Sequence, residues 1–301
     1  MTPVGPGLAA TGGHVGAGVA YRKSHRALWL SGAGPVVTEV IPDHFFAATG
    51  DLESLARHAH IVFHDVGLSL GTEAPLDRTA LARLDRIREL TSIVQPLLFS
   101  EHLAATRSPS ELDVGHLFPI RFTADSLERF ADKVAFVADR LGVPIALENL
   151  AFPFQLPGSS MTEAEFCWAL TERTGCGLLL DLTNLAYNCR NFGLDPRAEL
   201  QRYPLQAVWQ VHLSGGTLRD GFWHDTHASS VESESLDLLE FLSESVLPRV
   251  VIVERDQELP GLAELTAQAR DAERRVALGR AARSSPESIG PSTLATPEGL
   301  A

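Results

Sequence analysis

Nine side chains able to hold a metal ion lie at, or just past, the ends of apolar runs in this sequence. His64 closes IVFH, His102 closes PLLFSEH, Glu148 closes PIALE, Asp181 closes GLLLD, His212 closes VWQVH and Glu254 closes VVIVE. Asn184, Asp225 and His227 follow two of these ends by a few residues. A single His or Asp at a strand end is more often a helix cap, an ion-pair partner or a hydrogen-bonded core group than a ligand. Glu148, Asp181 and Glu254 resist that reading, because a carboxylate ending a buried strand is costly unless a cation or donors meet it. Arg255, beside Glu254, offers a competing ion pair. Nitrogen and oxygen donors without thiolate suit iron, manganese or zinc. The set exceeds what one ion needs with positions left open for substrate. Carboxylates bridge ions, so two or three metals close together are expected, with Glu148 and Glu254 as bridging candidates.

Such a set needs elements that bring strand ends to one place. Eight strand candidates are legible: Gly16–Arg22, Val36–Ile41, His60–His64, Leu97–Glu101, Pro144–Asn149, Gly177–Asp181, Ala207–Leu213 and Val250–Glu254. They are filled by Val, Ile, Leu and Phe without polar alternation, as strands buried on both faces are. Helical spacing recurs between them, over Ala80–Thr91, Ala124–Leu141, Thr162–Thr174, Glu234–Leu247 and Leu262–Arg283. Thr123 or Asp125 is a candidate cap for the second. Thr162 with Glu165 makes a capping-box pattern, and Gly142 and Gly175 stand where helices should stop. Alternation of this kind predicts an α/β fold, a single-domain (β/α)8 TIM barrel whose carboxyl-end rim carries the chemistry. A doubly wound sheet would place a GxGxxG turn after the first strand, and the sequence has none there.

Within 301 residues, the barrel is expected over 16–283, after a flexible Gly-rich lead (1–15) and before a disordered Pro/Ser/Gly tail (284–301). The start lacks the basic and apolar regions of a secretory signal. No apolar run reaches the roughly 18–20 residues of a membrane span. Cys167, Cys176 and Cys189 form no CxxC pair and no disulfide framework, which fits a reducing, cytoplasmic location. A net charge of −13 argues against a general nucleic-acid or membrane surface.

The ordered motifs HDVGLSLG (64–71), SEHLA (100–104), LEN (147–149), LLLDLTN (178–184), VHLSGG (211–216), DTH (225–227) and ERD (254–256) resemble those of the multinuclear non-heme iron-dependent oxidative enzymes. The best-known kind of that family is the iron oxidase of methanobactin biosynthesis. The similarity runs from about Gly16 to Pro260. It implies a barrel holding two or three iron ions, with dioxygen as co-substrate. It also implies a ribosomally made precursor peptide as substrate, oxidised most often at cysteine, and a partner protein that binds the leader. By motif, the resemblance makes His64, His102, Glu148, Asp181 and His212 ligands, puts Asp225, His227 and Asn184 around a more exposed ion, and lets Glu254 complete the cluster. Arg22 and His25 in YRKSH would face the mouth and bind a substrate carboxylate or peptide backbone; a plain surface turn is the alternative.

Three departures stand out. Thr183-Asn184 replaces the usual Asn-Asn pair. Asp43 and His44 replace the Glu-Asn that usually follows the second strand, a region that would shape the substrate pocket. Asp65 replaces a glycine, and either orients His64 or caps the following loop. The competing activity is a zinc- or manganese-dependent barrel hydrolase or isomerase, and metal identity separates the two. A non-enzymatic metal-binding partner is the third reading.

Overall fold

The computed structural model describes residues 13–110, 112–152, 154 and 156–284. Among them are twelve strands: β1 (Gly16–Ala20), β2 (Val37–Val40), β3 (His60–His64), β4 (Phe99–His102), β5 (Ala104–Arg107), β6 (Asp113–Pro119), β7 (Ile145–Glu148), β8 (Gly177–Asp181), β9 (Val208–Leu213), β10 (Thr217–Arg219), β11 (Phe222–His224) and β12 (Val250–Val253). The helices are α1 (Arg26–Leu30), α2 (Thr49–Ala56), α3 (Arg78–Val94), α4 (Ala124–Leu141), α5 (Glu163–Thr174), α6 (Leu182–Phe192), α7 (Pro196–Leu200), α8 (Ser233–Ser245) and α9 (Leu262–Arg283). Strands β1, β2, β3, β4, β7, β8, β9 and β12 close into one barrel in that order, and every neighbouring pair is parallel. Helices lie between the strands, so the expected (β/α)8 barrel is the fold. Two antiparallel hairpins, β5–β6 and β10–β11, arise in the loops after β4 and β9.

Local chemistry explains the boundaries. Thr123 rather than Asp125 caps α4, accepting from Ser126 N while the Ser126 hydroxyl takes the Thr123 N–H. Thr162 and Glu165 form the reciprocal box that starts α5. Gly142 and Gly175 end α4 and α5 with φ of 67° and 71°, a conformation that glycine adopts without penalty. Residues 1–12 of the expected lead and 285–301 of the expected tail lie outside the described residues. The end of that lead is tied down: Val15 N donates to Arg249 O at 2.8 Å, and His14 Nδ1 lies 2.7 Å from Pro248 O.

Inward-facing positions alternate along each strand. Ala20, Val37, Val62, Leu98, Ala146, Leu179, Val250 and Ile252 pack together as one buried cluster inside the barrel. A larger cluster fills the space between barrel and helices. Two residues past Val62, Leu179 and Ala146 along their strands stand His64, Asp181 and Glu148. Glu254 follows Ile252 by the same step, and Glu39 follows Val37. Strand periodicity alone therefore stacks a layer of metal-type side chains on an apolar plug.

Candidate metal centre

The structure gathers the strand-end residues into three touching donor groups. His64, His102 and Glu148 form one; Glu148, Asp181, His212 and Glu254 form the next; Asp181, Asp225 and His227 form the third. Within each group one donor atom per residue lies within 4.8 Å of the others. Glu148 belongs to the first two and Asp181 to the last two. Of the expected bridging candidates, Glu148 falls in two groups, while Glu254 belongs to the middle one and lies 3.6 Å from His227 Nε2 of the outer one. All of these except Asp225 and His227 are buried.

Each histidine has one ring nitrogen held by a fixed acceptor and the other turned to a carboxylate of its own donor group. The Ser100 hydroxyl donates to Phe63 O at 3.2 Å, so it accepts from His64 Nδ1 at 2.9 Å. That leaves His64 Nε2 facing Glu148 Oε2 at 3.3 Å. His102 directs Nδ1 at Glu101 Oε2, 3.3 Å away, and Nε2 at Glu148 Oε2, 3.1 Å away. His212 gives Nε2 to Glu39 Oε2 at 2.7 Å and points Nδ1 at Glu148 and Glu254, 3.2 and 3.1 Å away. His227 gives Nδ1 to Asp256 Oδ2 at 2.8 Å and Nε2 to Asp225 Oδ2 at 2.7 Å. Holding one nitrogen fixes ring orientation and tautomer, as in metal-binding histidines.

The electrostatics call for cations. Burial and the Asp225 and Glu148 charges push the Asp181 carboxyl well above its ordinary range. Burial opposes protonation of His102, yet Glu148 and Glu101 raise it to about 9. His212 and His227 also rise against burial, drawn by Glu39 and Glu254 for the first and by Glu254 and Asp225 for the second. Without metal, imidazolium protons must balance the carboxylates. Glu148 Oε2, Asp181 Oδ2, Asn184 Oδ1 and His212 Nδ1 are buried without a hydrogen-bond partner. Unpartnered buried acceptors among these carboxylates and imidazoles are what cations would satisfy, so the residues fit a metal cluster.

The outer group depends on the rim. Gly216 lets the β10–β11 hairpin close in, since a Cβ there would lie 2.1 Å from His224 O. His227 adopts φ of 48°, a left-handed conformation costly for a non-glycine residue, and its carbonyl accepts from Asp256 N at 3.0 Å. Ser214 Oγ donates to Asp225 Oδ1 at 3.1 Å. Asn184 turns Nδ2 to Asn149 O at 3.1 Å, which leaves its free oxygen for the centre.

A cavity of about 860 Å³ opens above the centre, with His64, His102, Glu148, Asn184, Asp225 and Glu254 in its wall. Arg22 and Asp43 line it as expected; His25 and His44 do not, because short 3-10 turns hold them off the cavity wall. Arg22 is taken up by Asp256, with Nε 2.8 Å from Oδ1. Arg255 does not pair with Glu254: it donates to Gln257 O and Glu258 O instead. Asp65 does not orient His64, whose partner is Ser100. It accepts from Gly67 N at 3.3 Å, the loop-capping reading, and above all it binds Arg83, Oδ1 to Nη2 at 2.5 Å. Arg83 also reaches Asp43 Oδ2 at 3.2 Å. Two of the three departures thus meet on one arginine. Thr183, the third, is buried and exchanges hydrogen bonds with Ser214: its hydroxyl accepts from Ser214 N at 3.0 Å and lies 3.3 Å from Ser214 O.

Sequence reasoning assigned no site role to Glu39, Ser100, Glu101 or Asp256. Each is buried in a strand or sits inside a motif already marked by its neighbour. The signal was the inward parity of Glu39 and Ser100 with the plug residues, and the nearness in sequence of Glu101 to His102 and of Asp256 to Glu254.

A family model described as the RiPP precursor modification enzyme MbnB/TglH/ChrH matches residues 16–277. The chain belongs to this family. Its members act on the precursors of ribosomally synthesised, post-translationally modified peptides, so the chain is an enzyme with a precursor peptide as substrate. Relatives carry the name UPF0276 protein. One from Chromobacterium violaceum is 37% identical over 78% of this chain and 85% of its own length. One from Caulobacter vibrioides is 32% identical over 94% of this chain and 98% of its own. One from Streptomyces avermitilis is 35% identical over 84% of this chain, which spans 53% of that longer protein. Among solved structures, a D-tagatose 3-epimerase-like protein matches with a TM-score of 0.58 at 14% identity, covering 89% of this chain and 98% of that one. The 3-keto-D-glucoside 4-epimerase YcjR from E. coli matches at 0.56, also 14% identical, over 86% and 98%. At that identity they share the barrel alone. Among the described residues no helix is long and apolar enough to cross a membrane.

Proposed function

We propose that the chain holds two to three iron ions in the three donor groups and uses dioxygen to oxidise a side chain, cysteine first, of a precursor peptide. The observation that carries this reading is the run of three adjoining groups joined by Glu148 and Asp181 beneath an open cavity. His64, His102, Glu148, Asp181, Asn184, His212, Asp225, His227 and Glu254 would be the ligands. Iron bound there would supply one-electron chemistry and a site for dioxygen. The chain's own part is positional: Ser100, Glu101, Glu39 and Asp256 orient the imidazoles, and the barrel plug excludes water from below. Arg22 and Asp43 would meet the peptide at the mouth. The reading includes a leader-binding partner protein and a cytoplasmic setting, in keeping with three buried free thiols.

Elemental analysis of protein reconstituted anaerobically with iron, with a Mössbauer spectrum of the same sample, tests it. Two to three irons per chain, and oxygen uptake dependent on a cysteine-containing precursor peptide, are expected. Stoichiometric zinc or manganese that iron does not replace would transfer the assignment to a hydrolase or isomerase.

A further inference from the structure

Helix α6 leaves the end of β8 and carries three asparagines on one stripe, Asn184, Asn188 and Asn191, spaced four and three apart. Asparagine is a poor interior helix residue, because its carboxamide competes for backbone groups. Here the carboxamides are spent on the backbone of neighbouring rim segments. Asn188 accepts from Phe152 N and donates to Leu150 O, both at 2.7 Å, and so holds the segment that follows Glu148. Asn191 accepts from Trp223 N at 2.8 Å and donates to Trp223 O at 3.0 Å, and its Nδ2 makes a longer bond to Phe152 O at 3.3 Å. It pairs with both edges of Trp223 as an adjacent strand would. The Trp223 ring stacks on Tyr187, centroids 5.3 Å apart, under the Arg190 guanidinium at 4.5 Å.

Trp223 stands two residues before Asp225, the ligand-type residue that the β10–β11 hairpin delivers. The group of His64, His102 and Glu148 is built from β3, β4 and β7, and none of its members touches the hairpin through a hydrogen bond or ion pair described above.

We propose that Asn191 is a positioning residue for the outermost donor group, fixing Asp225 opposite Asp181 and His227 through the backbone of Trp223. This rests on the reading that the three groups hold metal. Loss of the carboxamide frees the hairpin and weakens one ion out of the set, while the barrel strands keep the inner groups in place. Removing groups that orient metal ligands typically costs roughly 10–100-fold in affinity.

The test uses the full chain, stripped of metal and titrated anaerobically with iron(II). Hydrogen exchange of residues 217–227 and 208–213 is followed on the metal-free protein. In Asn191→Ala the last iron to bind is expected to weaken by about 10–100-fold, with the others unchanged. Exchange in 217–227 should speed up while strand β9 stays protected. Asn191→Asp keeps the acceptor for Trp223 N and should fall between wild type and Asn191→Ala; it carries the test if the alanine variant does not fold. Wild-type iron binding and wild-type exchange in both variants would overturn the proposal. Equal loss of all irons would also overturn it, since that is a general structural effect. Wild-type protein that takes up no metal would overturn the metal reading itself, and this role for Asn191 with it.

Discussion

Asn149 pairs both edges of its carboxamide with the backbone of Asp181: Oδ1 accepts from Asp181 N at 2.8 Å and Nδ2 donates to Asp181 O at 3.1 Å. One residue past Glu148, it thereby locks together the two strand ends that carry the shared carboxylates. Asn149→Ala leaves the buried Asp181 N–H unpaired, a loss of about 2–3 kcal/mol. In a chain of this size that lowers Tm by roughly 5–10 °C. Calorimetry on the metal-free protein checks it, and an unchanged Tm would refute the lock.

Glu148 takes part in two donor groups and Asp225 in one. Glu148→Ala should therefore cost more metal than Asp225→Ala when iron per folded chain is measured after gel filtration. Equal losses in the two variants would show that the groups do not share ligands in this way.

Arg83 is the cation for a fully buried Asp65. Arg83→Met strands that carboxylate and should cost about 3–5 kcal/mol. Adding Asp65→Asn removes the stranded charge and should recover at least half of the loss, because Asp43 is free to turn to water. Urea unfolding of the two single variants and the double variant reads the coupling. Additive effects would mean that the ion pair contributes nothing.

Glu163, at the start of α5, belongs to none of the donor groups, and its Oε2 accepts from Tyr203 Oη at 2.7 Å. Burial raises its carboxyl from 4.5 to about 7. The folded state therefore keeps the proton between those values while the unfolded state loses it. Stability from this group is fully present below pH 4.5 and declines as pH rises, with the loss complete above pH 7. The decline amounts to roughly 3 kcal/mol. Glu163→Gln should flatten that slope in urea unfolding at acid and neutral pH; an unaltered slope would assign it to other groups.

The barrel was legible because its strands are short apolar runs ended by charged or imidazole groups, and that pattern survives without tertiary information. All eight barrel strands appear where expected, with ends shifted by a residue or two. Helix α6 was not foreseen: Leu182–Phe192 begins directly at the end of β8, with no linker, and is rich in Thr, Asn, Tyr and Cys, which favour a helix weakly. The hairpins escaped for a similar reason. Their strands are mostly exposed or half-buried, β6 mixes Asp, Gly, His and Pro into its run, and none carries a clean apolar alternation. The mutual placement of Asp65, Asp43 and Arg83 was hidden because the partners come from three separate segments. A lone Asp next to a histidine reads as that histidine's neighbour until the third dimension is known.

Strand β12 is the last stave of the barrel, and it sits between β1 and β9. The first strand made pairs with β2 on one side and meets its other neighbour only when the last strand arrives, so during synthesis β1 and β9 each wait with one open edge. Glu254, one residue beyond β12, is also the last in sequence of the nine candidate ligands. A polypeptide halted anywhere before it has neither a closed cylinder nor a complete middle group. On the proposed reading, metal uptake at that group would require a chain translated past Glu254, so metal content would double as a check that synthesis passed the last stave.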